Sequence, residues 1–556
     1  MQDMMTRNQY KQYVKELKKQ YISPSKLYNY YGNDHISDYY KYRTNIKKET
    51  NLFQTFIFKQ GNEFEKSVIE YIHTHIHKIR CISLVFTSTS IKHTKEMMQN
   101  GIPYIHSAPI FNENNKTYGI IDLLVRSDYI NNLTDIPSLD NHYIPRRRNN
   151  QYYYIVIDIK YKALNFAADG IHLLNSKHKF HKAQCYIYTQ AIGHLQGYTS
   201  RYAFILGKCS NYKDKNVPNC LYSLGKIDYE DYDKNCGAEV NNALDWLLKV
   251  RDIKEDIMVY PNMNVDSSSY NNVKRNYAID NKEITLLWNV STKHRDIAIS
   301  KGIKSWNDSK LNSTILGYKS TNKKAKVIDM ILDINNSPNG QLIKPTKITN
   351  NLYNWKEEFS ENDIFLDFET LNNIFTSFEN IPETKSHDII FLIGVYHYDK
   401  KYDEWKYTHF LLDELTIEAE CKMIQIFIDF LSSYNDPKIW YWSAEMSIFN
   451  RALRRHNITD IHYKWSDLMN IFISEPIVIH GCLNYKLKTV AKNMKIHNFI
   501  TIDIESDCCN GLDCMVLAWD FYQNYNKSIM DDIILYNRFD CIVLYQILAY
   551  LRNNMK

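Results

Sequence analysis

Two short apolar stretches of this chain each carry a pair of charged side chains two residues apart. The first is YYYIVIDIKYKAL, residues 152–164, with Asp158 and Lys160; the second is IFLDFETL, residues 364–371, with Asp367 and Glu369. Both read as strands, because β-branched and aromatic residues crowd them and neither contains Gly or Pro. Strand side chains alternate between faces, so each charged pair shares one face. For an isolated Asp-x-Lys, a solvent-facing ion pair on an edge strand is a sufficient explanation. The chemical alternative is metal-assisted hydrolysis of a phosphodiester. Carboxylates would hold Mg²⁺, which prefers carboxylates and waters in octahedral geometry. The ammonium would steady the attacking water or the scissile phosphate. The choice depends on whether other parts of such a site flank the strand.

They do, in order. KQGNEFEKSVIEYIHTHI, residues 59–76, has helical spacing with Phe64, Val68, Ile69 and Ile72 on one face. Glu65 then falls near its first turn, close enough to that face to lean into a cleft. In YGIIDLLVR, Gly119 permits close approach and Asp122 lies in a short aliphatic strand. KFHKAQCYIYTQAIGHL, residues 179–195, reads as a helix that puts Gln184 and Tyr188 on one face at i and i+4. Two acids on neighbouring strands with a Lys on the same face can supply what a hydrolytic metal site needs.

Residues 23–207 resemble the RecB-type nucleases of the PD-(D/E)xK superfamily, which include lambda-exonuclease-like enzymes and CRISPR-associated RecB-type exonucleases. SPSKLYNYYGNDHISDYYKYR resembles their opening helix, and GNEFE, GIID, DIK and QCYIY resemble their ordered motifs. The resemblance implies a restriction-endonuclease-like α/β fold. It also implies that Asp122, Asp158 and the carbonyl of Ile159 bind Mg²⁺ or Mn²⁺, with Glu65 joining directly or through water. Lys160 would be catalytic, and Gln184 and Tyr188 would position the substrate. Some of these relatives hold an iron–sulfur cluster with one Cys ahead of the Glu helix. Here the first cysteine is Cys81, so no cluster is expected.

The second pair has company as well. ILYNRFDCIVLYQIL, residues 534–548, reads as a helix with Tyr536 and Asp540 at i and i+4. Asp-x-Glu-Thr followed by Tyr-x-x-x-Asp resembles the RNase H-like 3′→5′ exonucleases over about residues 360–552, whose four acids bind two metals. The usual middle Asp is missing. Glu445 in IWYWSAEMSIFNRAL is the first substitute and Asp467 in WSDLM the second. A RecB-type unit, a helical segment such as LLWNVSTKHRDIAISKGIKSWND and an RNase H-like unit is also the order of a group of bacterial and viral RecB-family nucleases.

Charge separates the two ends of the chain. Residues 1–210 carry 28 Lys and Arg against 16 Asp and Glu, residues 211–350 carry 21 against 17, and residues 351–556 carry 19 against 30. A positive surplus in the first part suits a polyanionic partner there. Lys162, Lys177, Lys179 and Lys182 surround its last motifs, and Arg146, Arg147 and Arg148 occupy a polar loop at 131–150. These are the candidate DNA contacts. The chain thus divides into three parts: residues 1–210 as the PD-(D/E)xK nuclease, 211–350 as a mostly helical connector, and 351–556 as the RNase H-like α/β domain.

The remaining signals set context. The opening MQDMMTRNQYKQYVKELKKQ is polar, unlike a secretion signal. No apolar run approaches a membrane span by inspection. Eleven scattered cysteines fit reduced thiols, and the abundance of Asn, Ile, Lys and Tyr points to an AT-rich genome. The expectation is a soluble intracellular protein, in a host cytoplasm or viral factory if viral, serving DNA processing or defence against foreign DNA. DNA, double- or single-stranded, is the expected partner, with a helicase and a second copy of the chain as further candidates and no membrane. His73, His75 and His77 are two apart on a helix and do not share a face, which argues against zinc. CCNGLDC, with Cys508, Cys509 and Cys514, reads as a loop of free thiols. Two rival readings put the active site in the RNase H-like domain, or make the chain a non-catalytic DNA-binding scaffold.

Overall fold

The computed structural model describes residues 16, 20–82, 87–140, 152–213, 215–252, 257–265, 269–337, 340–459, 461–502 and 511–556. Arg146, Arg147, Arg148, Cys508 and Cys509 lie outside the described residues. Cys514 is not in a loop but buried in a helix.

The first sheet contains β1 (Arg80–Cys81), β2 (Tyr104–Asn112), β3 (Thr117–Arg126), β4 (Tyr154–Asn165), β5 (Tyr202–Tyr212), β6 (Lys215–Val217) and β7 (Gly225–Asp228). They lie in the order β1-β2-β3-β4-β5-β6, and β7 also pairs with β5. β2, β3 and β4 follow one another antiparallel, whereas β4 and β5 are parallel. A parallel step needs a long crossover. Among the helices α1 (His35–Arg43), α2 (Leu52–Tyr71), α3 (Asn175–Gln196) and α4 (Cys236–Asp252), α3 makes that crossover.

β4 is central and covered on both faces. Tyr154, Val156 and Leu164 share a core with Ala183, Ile187 and Ala191 of α3; Ile155, Ile157 and Ile159 share one with Phe64 and Val68 of α2 and with Ile72 just after it. A strand packed on two sides must be apolar throughout, which accounts for the composition of YYYIVIDIKYKAL. It also removes the edge-strand explanation, because Asp158 is fully buried.

Three expectations need correction. α2 starts at Leu52, where the Asn51 side chain accepts from the Gln54 N–H, so Glu65 lies well inside the helix and not near its first turn. The opening stretch is a 3₁₀ turn, a short helical turn and then α1, with Gly32 between them. Residues 211–350 do not form one helical connector. β6 and β7 complete the first sheet, α4 packs beside α3, and α5 (Lys323–Asn336) joins the second unit's core. The segment LLWNVSTKHRDIAISKGIKSWND is α-helical only at Thr292–Ser300.

A short strand, β8 (Ile343–Lys344), precedes the second sheet, which contains β9 (Asp363–Leu371), β10 (Ile389–Asp399), β11 (Glu404–Leu411), β12 (Lys438–Tyr441) and β13 (Lys464–Asp467). β14 (Val478–Ile479) pairs with β8. The sheet order is β11-β10-β9-β12-β13, an antiparallel meander followed by two parallel strands. The helices that matter here are α6 (Glu445–Arg455), α7 (Leu487–Ile496), α8 (Gly511–Asn524) and α9 (Lys527–Asn554). By length and hydropathy α9 could cross a membrane, contrary to expectation. Here its Phe539, Val543, Leu544 and Ile547 are buried against Phe365 of β9. The segment after β9 also reaches the first unit: Tyr161 Oη donates to the Ile374 carbonyl at 3.0 Å, and Lys208 Nζ to that of Asn373 at 2.9 Å.

Candidate active sites

The first cluster forms where a ladder stops. β3 and β4 pair from Arg126–Tyr154 to Leu123–Ile157. The next rung would set Asp122 directly opposite Asp158, and like charges so placed repel. Beyond that rung the strands exchange backbone bonds for side-chain ones. Asp122 Oδ2 accepts from the Ile159 N–H at 2.8 Å, and Lys160 Nζ lies 3.2 Å from Asp122 Oδ2 and 2.8 Å from Asp158 Oδ1. One ammonium therefore bridges both carboxylates.

α3 closes this site from above. Gln184 Nε2 donates to Asp158 Oδ1 at 3.1 Å and stands 3.4 Å from the Tyr188 hydroxyl. A Cβ on Gly119 would lie 2.6 Å from the Tyr188 ring, so only glycine lets that ring settle against β3. Burial pushes the Asp158 carboxyl well above the usual range; Lys160 opposes the shift and Asp122 adds to it. Burial alone would lower Lys160, but the two carboxylates outweigh it and the ammonium is held in its charged form.

Glu65 has a different partner. Its Oε1 meets His106 Nε2 on β2 at 3.1 Å, and Ser107 Oγ meets the same ring at 3.1 Å. α2 packs on the face of Ile157 and Ile159, opposite α3, so Glu65 reaches the region from the other side of the sheet. No sequence signal marked His106.

The basic residues need a correction. Lys182 is buried, not a DNA contact: its Nζ donates to the Leu173 carbonyl, Asn175 Oδ1 and Asp233 Oδ1 at 2.6–2.7 Å. It belongs to the inward face of α3. Lys179 is exposed but pairs with Glu239 at 2.9 Å, and Lys162 donates to the Lys177 carbonyl at 2.8 Å. Lys177 is exposed. The histidines of IHTHI lie in a π-helical turn, where His73 Nδ1 accepts from the Ile79 N–H and His75 stacks on Tyr71.

The second cluster combines two periodicities. On β9, Asp367 and Glu369 continue the face of Phe365, which α9 covers; on α9, Tyr536 and Asp540 are one turn apart on the covering face. Asn537 Nδ2 donates to Asp367 Oδ2 at 2.8 Å. Glu445 stands at the start of α6, where its Oε2 accepts from the Ala444 N–H at 3.1 Å. Burial pushes Asp367 well above the carboxylate range, and Glu369, Asp540 and Glu445 each add to the shift. Three acids from a strand and two helices therefore act on Asp367.

Glu445 and Asp540 are both pushed up to about 7, chiefly by burial. Lys488 of α7 opposes the shift at Asp540 and sits 4.0 Å over the Tyr536 ring. Nothing in the sequence marked Lys488. Asp467, the alternative middle acid, is occupied elsewhere. It caps the next helix through the Met469 N–H at 2.9 Å and accepts from the Ser443 N–H at 3.1 Å. It lies close enough to Glu445 to raise that carboxyl further.

A divalent cation fits both donor sets. Asp158 Oδ2 and Asp540 Oδ1 are buried oxygens with no hydrogen-bond partner among the described residues. Such atoms are costly unless a cation or water serves them. Among the described residues no three His, Cys, Asp or Glu side chains are already drawn into a ligating group.

Residues 364–552 match a family model described as RNase H superfamily, so this stretch is an RNase H superfamily domain. No curated protein matches the chain. A domain of this class is consistent with a metal-dependent hydrolase of nuclease type.

Proposed function

We propose that this chain is a metal-dependent nuclease with two centres, and that the N-terminal PD-(D/E)xK-like cluster is the principal one, cleaving DNA. The observation that carries the reading is the single ammonium of Lys160 bridging two carboxylates on a central, buried strand and its neighbour. A structural ion pair needs one acid per cation. Two acids at the open end of a ladder, one with an unserved buried oxygen, suit a cation of higher charge.

Asp122, Asp158 and the Ile159 carbonyl would hold Mg²⁺ or Mn²⁺, which when bound polarises a phosphate and lowers the pKa of its water. The chain's own residues do the rest. Lys160 keeps its proton and can turn its charge from the carboxylates to a phosphate oxygen. Gln184 fixes the orientation of Asp158, and Tyr188, wedged against Gly119, closes the site on the α3 side. Lys177, exposed near the N-terminal end of α3, offers charge to a phosphate backbone.

A second reading makes the RNase H-like domain the principal exonuclease. Its support is the convergence of four acids, Asp367, Glu369, Glu445 and Asp540, on one covered strand face. Digestion of labelled duplex and single-stranded DNA tests the proposal. Release is expected with Mg²⁺ or Mn²⁺, not with EDTA, and a folded Asp122→Asn variant should lose most of it. Undiminished, metal-independent cleavage would refute it.

A further inference from the structure

In the RNase H-like domain one buried amide has its donor and its acceptor both engaged around a single acid. Asn537 is fully buried. Its Nδ2 donates to Asp367 Oδ2 at 2.8 Å and to the Asp367 carbonyl at 3.2 Å, while its Oδ1 accepts from the Tyr407 hydroxyl at 2.8 Å. The amide lies over Gly394, which pairs with Asp367 across the β9–β10 ladder. A Cβ at position 394 would overlap Asn537 Oδ1. Strand, helix and meander thus contribute one part each: Gly394 the space, Tyr407 the orientation and Asn537 the hold.

We propose that Asn537, oriented by Tyr407 and seated over Gly394, is the positioning residue that fixes Asp367 for metal binding. An amide has one donor side and one acceptor side. With Oδ1 committed to the Tyr407 hydroxyl, Nδ2 must point at Asp367. That bond occupies Oδ2 and fixes the plane of the carboxylate. The carbonyl bond pins the same residue's backbone, so side chain and main chain are set together. A carboxylate oriented by a partner of this kind typically loses 10–100-fold in metal affinity when the partner is removed.

The inference rests on the reading of the second cluster as a metal centre, and the test separates the two. Mn²⁺ binding to the full chain is measured by calorimetry in an Asp158→Asn background, which silences the first cluster. Asp367→Asn is expected to abolish the remaining binding; if wild-type Asp367 gives none to abolish, the metal-centre reading fails and this proposal with it. If Asp367→Asn abolishes binding, Asn537→Ala should weaken it about 10–100-fold and Tyr407→Phe by less. Gly394→Ala should reproduce the Asn537→Ala loss, and the double variant should be no worse than either single one, because a Cβ at 394 meets the amide and the Tyr407 ring that orients it, parts of one relay. Tyr407→Phe removes one oxygen from a ring that stays in place, so it reads the relay even if Asn537→Ala does not fold. Wild-type Mn²⁺ affinity in folded Asn537→Ala, or in Tyr407→Phe should the first not fold, would overturn the proposal. So would additive losses in the double variant.

Discussion

The two clusters solve the same electrostatic problem in opposite ways. In the first, two carboxylates face each other and a lysine stands between them, so half of the charge is balanced by the chain itself. In the second, three acids raise Asp367, and the nearby cation, Lys488, opposes the shift at Asp540 and sits over the Tyr536 ring. The first has a cation of its own between its acids; in the second, burial and neighbouring acids favour the protonated carboxyls. Position follows the same division. The self-balanced cluster lies in the basic part of the chain and the acid-rich cluster in the acidic part, where polyanion binding is opposed.

The comparison can be broken at several points. The largest stability effect belongs to a residue that sequence placed on the surface. Lys182 is buried against Asp233, and leaving a buried carboxylate unpaired costs roughly 3–5 kcal/mol. Lys182→Met should therefore lower the melting temperature by roughly 10 °C, as read by calorimetry. A variant of wild-type stability that binds DNA more weakly would restore the surface assignment.

Lys160→Met should cost less, roughly 1–3 kcal/mol, because the lysine retains some exposure. The signature of charge compensation is a partial rescue: Mn²⁺ should raise the melting temperature of this variant more than that of the wild type. Equal shifts would mean that the ammonium does not hold the place of a cation.

The third prediction concerns pH. Glu445 and Asp540 ionise near 7 in the folded chain and in the ordinary carboxylate range when unfolded. Between those limits the folded state binds more protons, so its stability falls as pH rises through that window. The metal-free protein should melt several degrees higher at pH 5 than at pH 8, and Glu445→Gln should flatten that slope. A slope unchanged in Glu445→Gln would remove Glu445 from the cluster.

The smallest effect is at Lys177. Lys177→Ala should weaken binding alike for all sequences and reduce its salt slope by about one for each phosphate no longer neutralised, measured by titration across a salt series. An unchanged slope would take α3 out of the DNA path.

How much of this was legible follows from where each contact originates. The strands and helices bearing Asp122, Asp158, Gln184, Asp367 and Asp540 follow from periodicity, because each pattern is set by the element's own packing. Glu445, at a buried helix start, lies near enough to Asp367 to raise its carboxyl, while Asp467 caps a helix; neither placement is written in local periodicity. Lys182 was misplaced because charge alone cannot tell the inner face of α3 from the outer when a buried aspartate waits 51 residues on. His106 and Lys488 carry no local signal, since their partners lie on other elements. Asn537 did have one: it follows Tyr536 within the Tyr-x-x-x-Asp pattern, yet its role depends on a glycine and a tyrosine from two different strands.

The most direct test of the division between the clusters is digestion of 5′- and 3′-labelled DNA in Mg²⁺ by folded Asp158→Asn and Asp367→Asn proteins, side by side with the wild type. If the first cluster is the principal centre, Asp158→Asn loses at least about a thousandfold, several kcal/mol of transition-state stabilisation, and Asp367→Asn keeps most of the activity. Near wild-type cleavage by Asp158→Asn with an inactive Asp367→Asn would contradict that division and make the RNase H-like domain the principal enzyme.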